Sequence, residues 1–332
     1  MTALMSESLE PRRIACADIG GSHARFAFAS IANGAVVSLE EPVTLRTSDH
    51  ASLRAAWEEF ARISGETLPS DLAIAFAGPV GGPVLKLTNN PWIIRPALME
   101  AKLCVRRHLI INDFGAIAHA VATLDDSAFA YVCGPDGPLP RSGVTTIVGP
   151  GTGLGVAALL QTHRGHEVIE TEGGHVDFAP LDPFEDRMLA HLRTTFRRVS
   201  VERIVAGNGI LNIYNALAAL DGRPVVPRDD RALWAAALQG DDSLAAAALD
   251  RYCLCLGAVA GDLALAQGAG AVVIAGGMGL RLKNHLARSG FSSRFNAKGR
   301  FERRMEAIPV KLITHPQPGL YGAAAAFAQA HR

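Results

Sequence analysis

The stretch Arg13 to Ile31, RIACADIGGSHARFAFASI, decides the fold class. Two apolar β-type runs flank the small residues of GGSHA, and Asn33-Gly34 follows as a turn signal, so the segment predicts a hairpin with a glycine-rich connection. Backbone N–H groups come close to an anion only where no Cβ intervenes, which makes a glycine turn placed directly after a strand the element that holds phosphate. A second unit of this kind runs from Thr145 to Gln161: strand TTIVG, turn GPGTGLG (Gly149 to Gly155) and strand VAALLQ. The likeness between Asp18–Arg25 and Gly149–Val156 is too short to count as a repeat, yet it suggests two related domains.

Working outward, SLRAAWEEFARISG (52–65) has helical period, DLAIAFAGPV (71–80) reads as a strand, and VLKLT (84–88) as a short one. A helix near PALMEAKLC (96–104) leads to the apolar strand HLIINDF (108–114), where Asn112 and Asp113 appear as the hydrophobic run stops. A helix over AIAHAVATL (116–124) precedes a Pro/Gly-rich loop at Gly134 to Gly143. From Pro183 to Leu265 the pattern is mostly helical, clearest in AALQGDDSLAAAAL (236–249) and RYCLCLGAVAGDLAL (251–265). Strands AVVIAG and VKLITH and a helix in GLYGAAAAFAQA close the chain. Such alternation implies an α/β fold with mainly parallel or mixed sheets covered by helices.

Composition narrows the function. The 332 residues exceed one small module; 32 basic and 32 acidic side chains cancel, so no net field draws the chain onto nucleic acid or an anionic membrane. With 49% hydrophobic and 19% charged residues the chain can bury a large core. Leu263 to Leu280 is an 18-residue stretch without a charge, long enough to raise the membrane question, but its five glycines would cut a spanning helix into pieces. The start, MTALMSESLEPRR, puts acids before bases and has no apolar core of a signal peptide, so residues 1–12 read as a flexible tail. Five cysteines, Cys16, Cys104, Cys133, Cys253 and Cys255, are odd in number and lack metal-type spacing, which fits a reducing, cytoplasmic setting and gives them no chemistry.

DIGGSHAR adds an acid and a base to its loop. Asp18 could hold a metal ion through water while Ser22 and the amides of Gly20 and Gly21 meet phosphate oxygens; taken alone, the loop is equally a tight hairpin with Arg25 as a solvated edge charge. GPGTGLG contains no true G-x-G-x-x-G, and no segment fits G-x-x-x-x-G-K-[ST]. A phosphate reading therefore needs a fold with two hairpin-type phosphate loops.

At this point the sequence resembles the bacterial glucokinase family of the hexokinase and actin-like ATPase superfamily. DIGGSHAR is similar to that family's first phosphate loop, LTNNPW (87–92) to a sugar-side turn, IINDFGAIAHA (110–120) to its catalytic strand and helix, and GPGTGLGVA to its second phosphate loop. EGGHVDFAP (172–180), VSVERIVAGNGI (199–210), VIAGGMG (273–279), FERRMEAIPVKLI (301–313) and PGLYGAAAAF (318–327) complete the order from about Arg13 onward. The resemblance implies two actin-like (ribonuclease H-like) domains around a deep cleft, with residues 13–122 plus 316–332 in the smaller domain and 123–315 in the larger.

It also implies ATP-dependent phosphorylation of glucose to glucose 6-phosphate. Asp113 matches the general base that takes the proton of the sugar 6-hydroxyl as it attacks the γ-phosphate. Asn112, Glu172, His175, Glu202 and the backbone at Gly153 match the sugar ligands, since each hydroxyl both donates and accepts. Gly20, Gly21, Ser22, Gly151, Thr152 and Gly153 match the phosphate loops, Gly276 and Gly277 the adenosine-side turn, and Asp18 the carboxylate that reaches the Mg2+ of ATP through water. Without the resemblance, Asn112-Asp113 is a strand-end Asx turn, Glu202 a surface helix acid and His175 a core histidine. His163 and His166 lie in a polar turn and are discounted as metal ligands.

One departure stands out: Ser22-His23 occupies the place where the family commonly has Thr-Asn. The cysteine-rich zinc motif of relatives acting on N-acetylated sugars is missing, which favours the plain glucokinase branch. The competing readings are a kinase for another hexose or hexosamine, and a sugar-sensing regulator on the same fold, which would need a helix-turn-helix extension where only about a dozen residues precede the first strand. The partners expected are glucose, ATP and, by family resemblance, a second copy of the chain.

Overall fold

A computed structural model describes residues 10–87, 90–225 and 227–332. Residues 1–9 of the expected tail, and Thr88 and Asn89 of the LTNNPW turn, lie outside the described residues. The chain divides into two compact units, Met1–Leu124 with His315–Arg332, and Asp125–Thr314.

The first unit opens with β1 (Arg12–Ile19), β2 (His23–Ala32), β3 (Ala35–Leu39) and β4 (Val43–Arg46). Asn33 and Gly34 both take positive φ, 53° and 74°, which is the turn geometry that joins β2 to β3 with matching twist. Helix α1 (Leu53–Ser64) starts where the Ser52 hydroxyl accepts the Ala55 N–H and stops at left-handed Gly65. Then come β5 (Asp71–Phe76), β6 (Leu85–Lys86), β7 (Ile93–Ile94), α2 (Met99–Leu103), β8 (Arg107–Asn112) and α3 (Asp113–Thr123). The main sheet runs β3-β2-β1-β5-β8, with β4 on β2; β1 is antiparallel to β2 and parallel to β5, and β5 is parallel to β8.

Both faces of this sheet are covered, which is why β5 is buried along its length and apolar from Leu72 to Phe76. Ala15, Ala17 and Ile19 point to the face packed by Leu53, Trp57 and Phe60 of α1, while Ile14 and Cys16, one residue out of phase, meet Ala116 and the C-terminal helix Pro318–Ala330. That helix lies against α3 at backbone distance: a Cβ on Gly322 would stand 1.7 Å from the Ala116 carbonyl oxygen. Small residues in PGLYGAAAAF are therefore what lets two helices share one face.

The second unit contains β9 (Phe129–Cys133), β10 (Gly143–Pro150), β11 (Leu154–Thr162), β12 (Gly165–Thr171), α4 (Pro183–Leu192), α5 (Val201–Val205), α6 (Gly209–Leu220), α7 (Asp230–Gln239), α8 (Ser243–Gln267), β13 (Ala271–Ile274), α9 (Gly276–Arg281) and β14 (Val310–Ile313). Its sheet order is β12-β11-β10-β13-β14-β9. An antiparallel meander β10-β11-β12 sits beside the parallel strands β13 and β14, the same plan as β1-β2-β3 beside β5 and β8. The short sequence likeness between the two glycine turns thus marks a shared strand plan.

One helical expectation needs correction. AALQGDDSLAAAAL is not one helix: Gly240 turns left-handed (φ 78°) and ends α7, and the Asp242 carboxylate accepts the Leu244 and Ala245 N–H groups to begin α8. From there α8 runs unbroken through the second expected helix. Among the described residues it is the one helix long and apolar enough to cross a membrane, but 72% of its apolar window is buried inside the protein. The suspect run from Leu263 to Leu280 is shared between the end of α8, β13 and α9.

Candidate active site

In the first unit the parallel register places Asp18 beside Ala75, and Phe76 beside Asn112, so Asp18, Gly78 and the Asn112-Asp113 pair gather at the carboxyl ends of β1, β5 and β8. Open α/β sheets bind ligands at this edge. Strand spacing sets Asp18 and Asn112, two strands apart, at about 10 Å across the sheet. Asn112 caps α3: its Oδ1 accepts from Phe114 N at 2.8 Å and Gly115 N at 3.2 Å, and its Nδ2 donates to the Gly78 carbonyl at 3.2 Å. The cap fixes the start of the helix and with it the half-buried Asp113, whose Oδ1 also accepts the Phe114 N–H at 3.0 Å.

The first glycine turn is closed by Gly20 N–H donating to the His23 carbonyl at 2.9 Å, and it is braced from the helical turn that follows β4. Thr47, 2% exposed, donates its hydroxyl to the Gly21 carbonyl at 2.7 Å and its N–H to the Ser22 carbonyl at 3.1 Å. Ser22 and His23 are exposed. Asp18 faces Arg25 across the hairpin, Oδ2 to Nη1 at 3.2 Å, and Gly319 of the C-terminal helix packs against its carboxylate. Burial pushes the Asp18 pKa up, and Arg25 only partly offsets this.

In the second unit the equivalent turn is closed by Gly151 N–H donating to the Gly153 carbonyl at 2.8 Å. Glu202, in the first turn of α5, accepts the Leu154 N–H at 3.0 Å, and a Cβ on Gly153 would stand 2.5 Å from its Oε2. Val201 N–H donates to the Val176 carbonyl at 2.9 Å and Phe178 N–H to the Val199 carbonyl at 3.1 Å, which ties VSVER to EGGHVDF. The Glu172–His175 turn sits on β11, since a Cβ on Gly174 would stand 2.1 Å from the Leu154 carbonyl. Exposed Glu172 and His175 lie 3.9 Å apart, Oε2 to Nε2. Gly276 (φ 78°) packs on the Pro150 carbonyl, where a Cβ would stand 2.6 Å away, so the α9 turn and the second loop are neighbours.

Each unit thus brings together its own share of the expected residues: Asp18, Gly20, Gly21, Ser22, Asn112 and Asp113 in one, and Gly151, Thr152, Gly153, Glu172, His175, Glu202, Gly276 and Gly277 in the other. Sequence reasoning missed the braces. Thr47 and Gly78 hold the first edge, and Gly207, whose N–H donates to the Gly151 carbonyl at 2.7 Å, holds the second. Gly207 was signalled only by the small-residue run AGNG; Thr47 and Gly78 act through pairings that no local pattern reveals.

Among the described residues no cluster of three or more His, Cys, Asp or Glu side chains could cage a metal ion. The donor set around the first loop suits Mg2+ all the same, because that ion keeps most of its waters and is held by one or two carboxylates plus substrate phosphates. Asp18, with a 23% exposed side chain, is a hard oxygen donor at the base of the loop.

A family model described as Glucokinase matches residues 15–330. The chain is 62% identical over 315 residues to a glucokinase of Zymomonas mobilis, covering 95% of this chain and 97% of that one. It is 38% identical to a glucokinase of Paramagnetospirillum magneticum over 93% of this chain and 95% of the other. Among solved structures it is similar to a glucokinase from an Antarctic psychrotroph, with TM-score 0.83 and 33% identity over 95% of this chain and 98% of that one. A ROK family glucokinase from Streptomyces griseus, solved with glucose and AMPPNP, shares the fold at TM-score 0.63 and 18% identity, covering 95% of this chain and 99% of the other.

Proposed function

The chain belongs to the glucokinase family, and we infer from that premise that it is a glucokinase with the actin-like fold, transferring the γ-phosphoryl group of ATP to the 6-hydroxyl of glucose. The observation that carries this is the 62% identity to a glucokinase over nearly the whole chain. We propose that Asp113 is the general base. A carboxylate in that role must be held within reach of the hydroxyl and oriented by a neighbour, and the Asn112 cap that fixes the first turn of α3 supports the assignment.

Asn112, Glu172, His175, Glu202 and the Gly153 backbone are proposed to bind the sugar. Gly20, Gly21, Ser22, Gly151, Thr152 and Gly153 would hold phosphate, and Gly276 with Gly277 would let the adenosine lie against backbone. Asp18 would hold Mg2+ through water; when bound, that ion neutralises the charge that builds on the transferring phosphoryl group. A cytoplasmic homodimer that engages neither nucleic acid nor membrane is the proposed physiological form.

ADP release measured across a panel of sugars tests the reading. Glucose should be the best substrate, with N-acetylglucosamine at least about tenfold lower in kcat/KM, because an added acetyl group would crowd a site built to pair each hydroxyl. A higher kcat/KM for N-acetylglucosamine would overturn the branch assignment.

A further inference from the structure

The last segment of the first unit opens with His315. Pro316, Gln317 and Pro318 follow, and because proline carries no N–H, only Gln317 of these three offers a backbone donor. That N–H goes to His315 Nδ1 at 3.1 Å. We propose that His315 is a positioning residue for Asp18: by holding Gln317 it fixes the start of the C-terminal helix, and with it Gly319, the residue that seats the Asp18 carboxylate. The proposal rests on the glucokinase reading, in which Asp18 reaches Mg2+ through water, and adds to it a residue outside both glycine loops.

Gln317 is the N-cap of that helix, yet its own side chain makes no capping hydrogen bond. Its carbonyl accepts the Tyr321 N–H at 3.0 Å, so with His315 on its N–H both backbone groups of the cap are committed. The His315 ring is half-buried and lies 5.2 Å from the Tyr321 ring, one turn into the helix, which limits how far it can swing. Accepting at Nδ1 places the proton of the neutral ring on Nε2, and burial pushes the His315 pKa down, which keeps that lone pair free. Two residues beyond Gln317, a Cβ on Gly319 would stand 3.1 Å from Asp18 Oδ2, the oxygen that Arg25 holds at 3.2 Å. Pro318 lies between with its φ fixed, so little backbone freedom is left to absorb a shift at Gln317 before it reaches Gly319. A carboxylate that meets an ion through water depends on such outer supports for its place.

Calorimetric titration of the full-length protein with AMPPNP plus Mg2+, AMPPNP in EDTA, and glucose tests this, using wild type, His315→Asn, His315→Gln, Gly319→Ala and Asp18→Asn. Asparagine carries its amide where Nδ1 stands and can accept the Gln317 N–H, as Asx turns do; glutamine carries it one bond further out. His315→Gln should weaken AMPPNP plus Mg2+ by about tenfold, the usual effect of removing an outer support of a metal site, with AMPPNP in EDTA and glucose within about twofold. His315→Asn should stay within about threefold of wild type, since the Asx turn restores the bond. Gly319→Ala presses on the carboxylate and leaves the His315 bond in place, so even if His315→Gln folds poorly it should show the same Mg2+-dependent loss, of about threefold or more. Equal affinities for His315→Asn and His315→Gln, a loss that is the same with and without Mg2+, or Gly319→Ala binding as wild type overturns the proposal. Asp18→Asn that keeps the wild-type response to Mg2+ would overturn the assignment of Asp18 and the proposal with it.

Discussion

Glu202 Oε2 accepts the Leu154 N–H at 3.0 Å, so a carboxylate expected to bind sugar also holds the backbone of the second phosphate loop. The two roles meet at Gly153, where any side chain would press on that carboxylate.

Gly153→Ala puts a Cβ 2.5 Å from Glu202 Oε2. The clash falls on the end of a flexible side chain, so it displaces the carboxylate instead of the fold. The melting temperature should change little, while kcat/KM for glucose drops about 10- to 100-fold, the usual effect of misplacing a positioned group. Unaltered glucose kinetics would show that Glu202 does not need its place.

Asp18→Asn should separate stability from activity. Burial holds the Asp18 pKa above the ordinary carboxylate range, so the folded protein binds more protons than the unfolded chain in that window. Its contribution to stability therefore falls as pH rises from the unfolded pKa, about 3.9, through the folded value, and stays unfavourable at neutral pH. The asparagine variant should melt at least as high as wild type at pH 7, with the advantage shrinking toward pH 4, and should lose most of its turnover with Mg-ATP. A variant that melts lower at pH 7 but not at pH 4 would reverse the sign and refute the argument.

Thr47→Val keeps the buried shape and removes the hydroxyl that holds the Gly21 carbonyl. About 1 kcal/mol of stability should be lost in denaturant titration. With the first loop no longer braced, KM for ATP should rise several-fold while KM for glucose stays within twofold; equal rises in both would argue against a role specific to the phosphate loop.

Much of this fold is legible locally. Both glycine hairpins follow from small residues between β-type runs, α1 from Ser52 and Gly65 at its ends, and the strand-end pair Asn112-Asp113 from polar residues where an apolar run stops, while the role of base for Asp113 comes only with the family resemblance. What sequence could not supply is register. The pairing of His23 with Arg46, of Val176 with Val201, and the seat of Gly322 on Ala116 join residues far apart in the chain, and their local patterns are compatible with many partners. The edge strands β9 and β12 also escaped notice, because Phe129–Cys133 and Gly165–Thr171 are short and only partly buried, with weak alternation to mark them. The merged helix at 236–249 failed for a different reason: helical period was read straight through Gly240, whose left-handed conformation outweighs the pattern on either side.

The most direct test of the account is the rate of glucose 6-phosphate formation by Asp113→Asn beside wild type at saturating Mg-ATP. Asparagine keeps the side-chain oxygen that accepts the Phe114 N–H, so the first turn of α3 should survive and the melting temperature should hold. It cannot take the proton of the 6-hydroxyl. The account predicts a fall in kcat of about 10²- to 10⁴-fold with KM for glucose within about threefold; turnover within about tenfold of wild type would contradict it and remove Asp113 from the role of base.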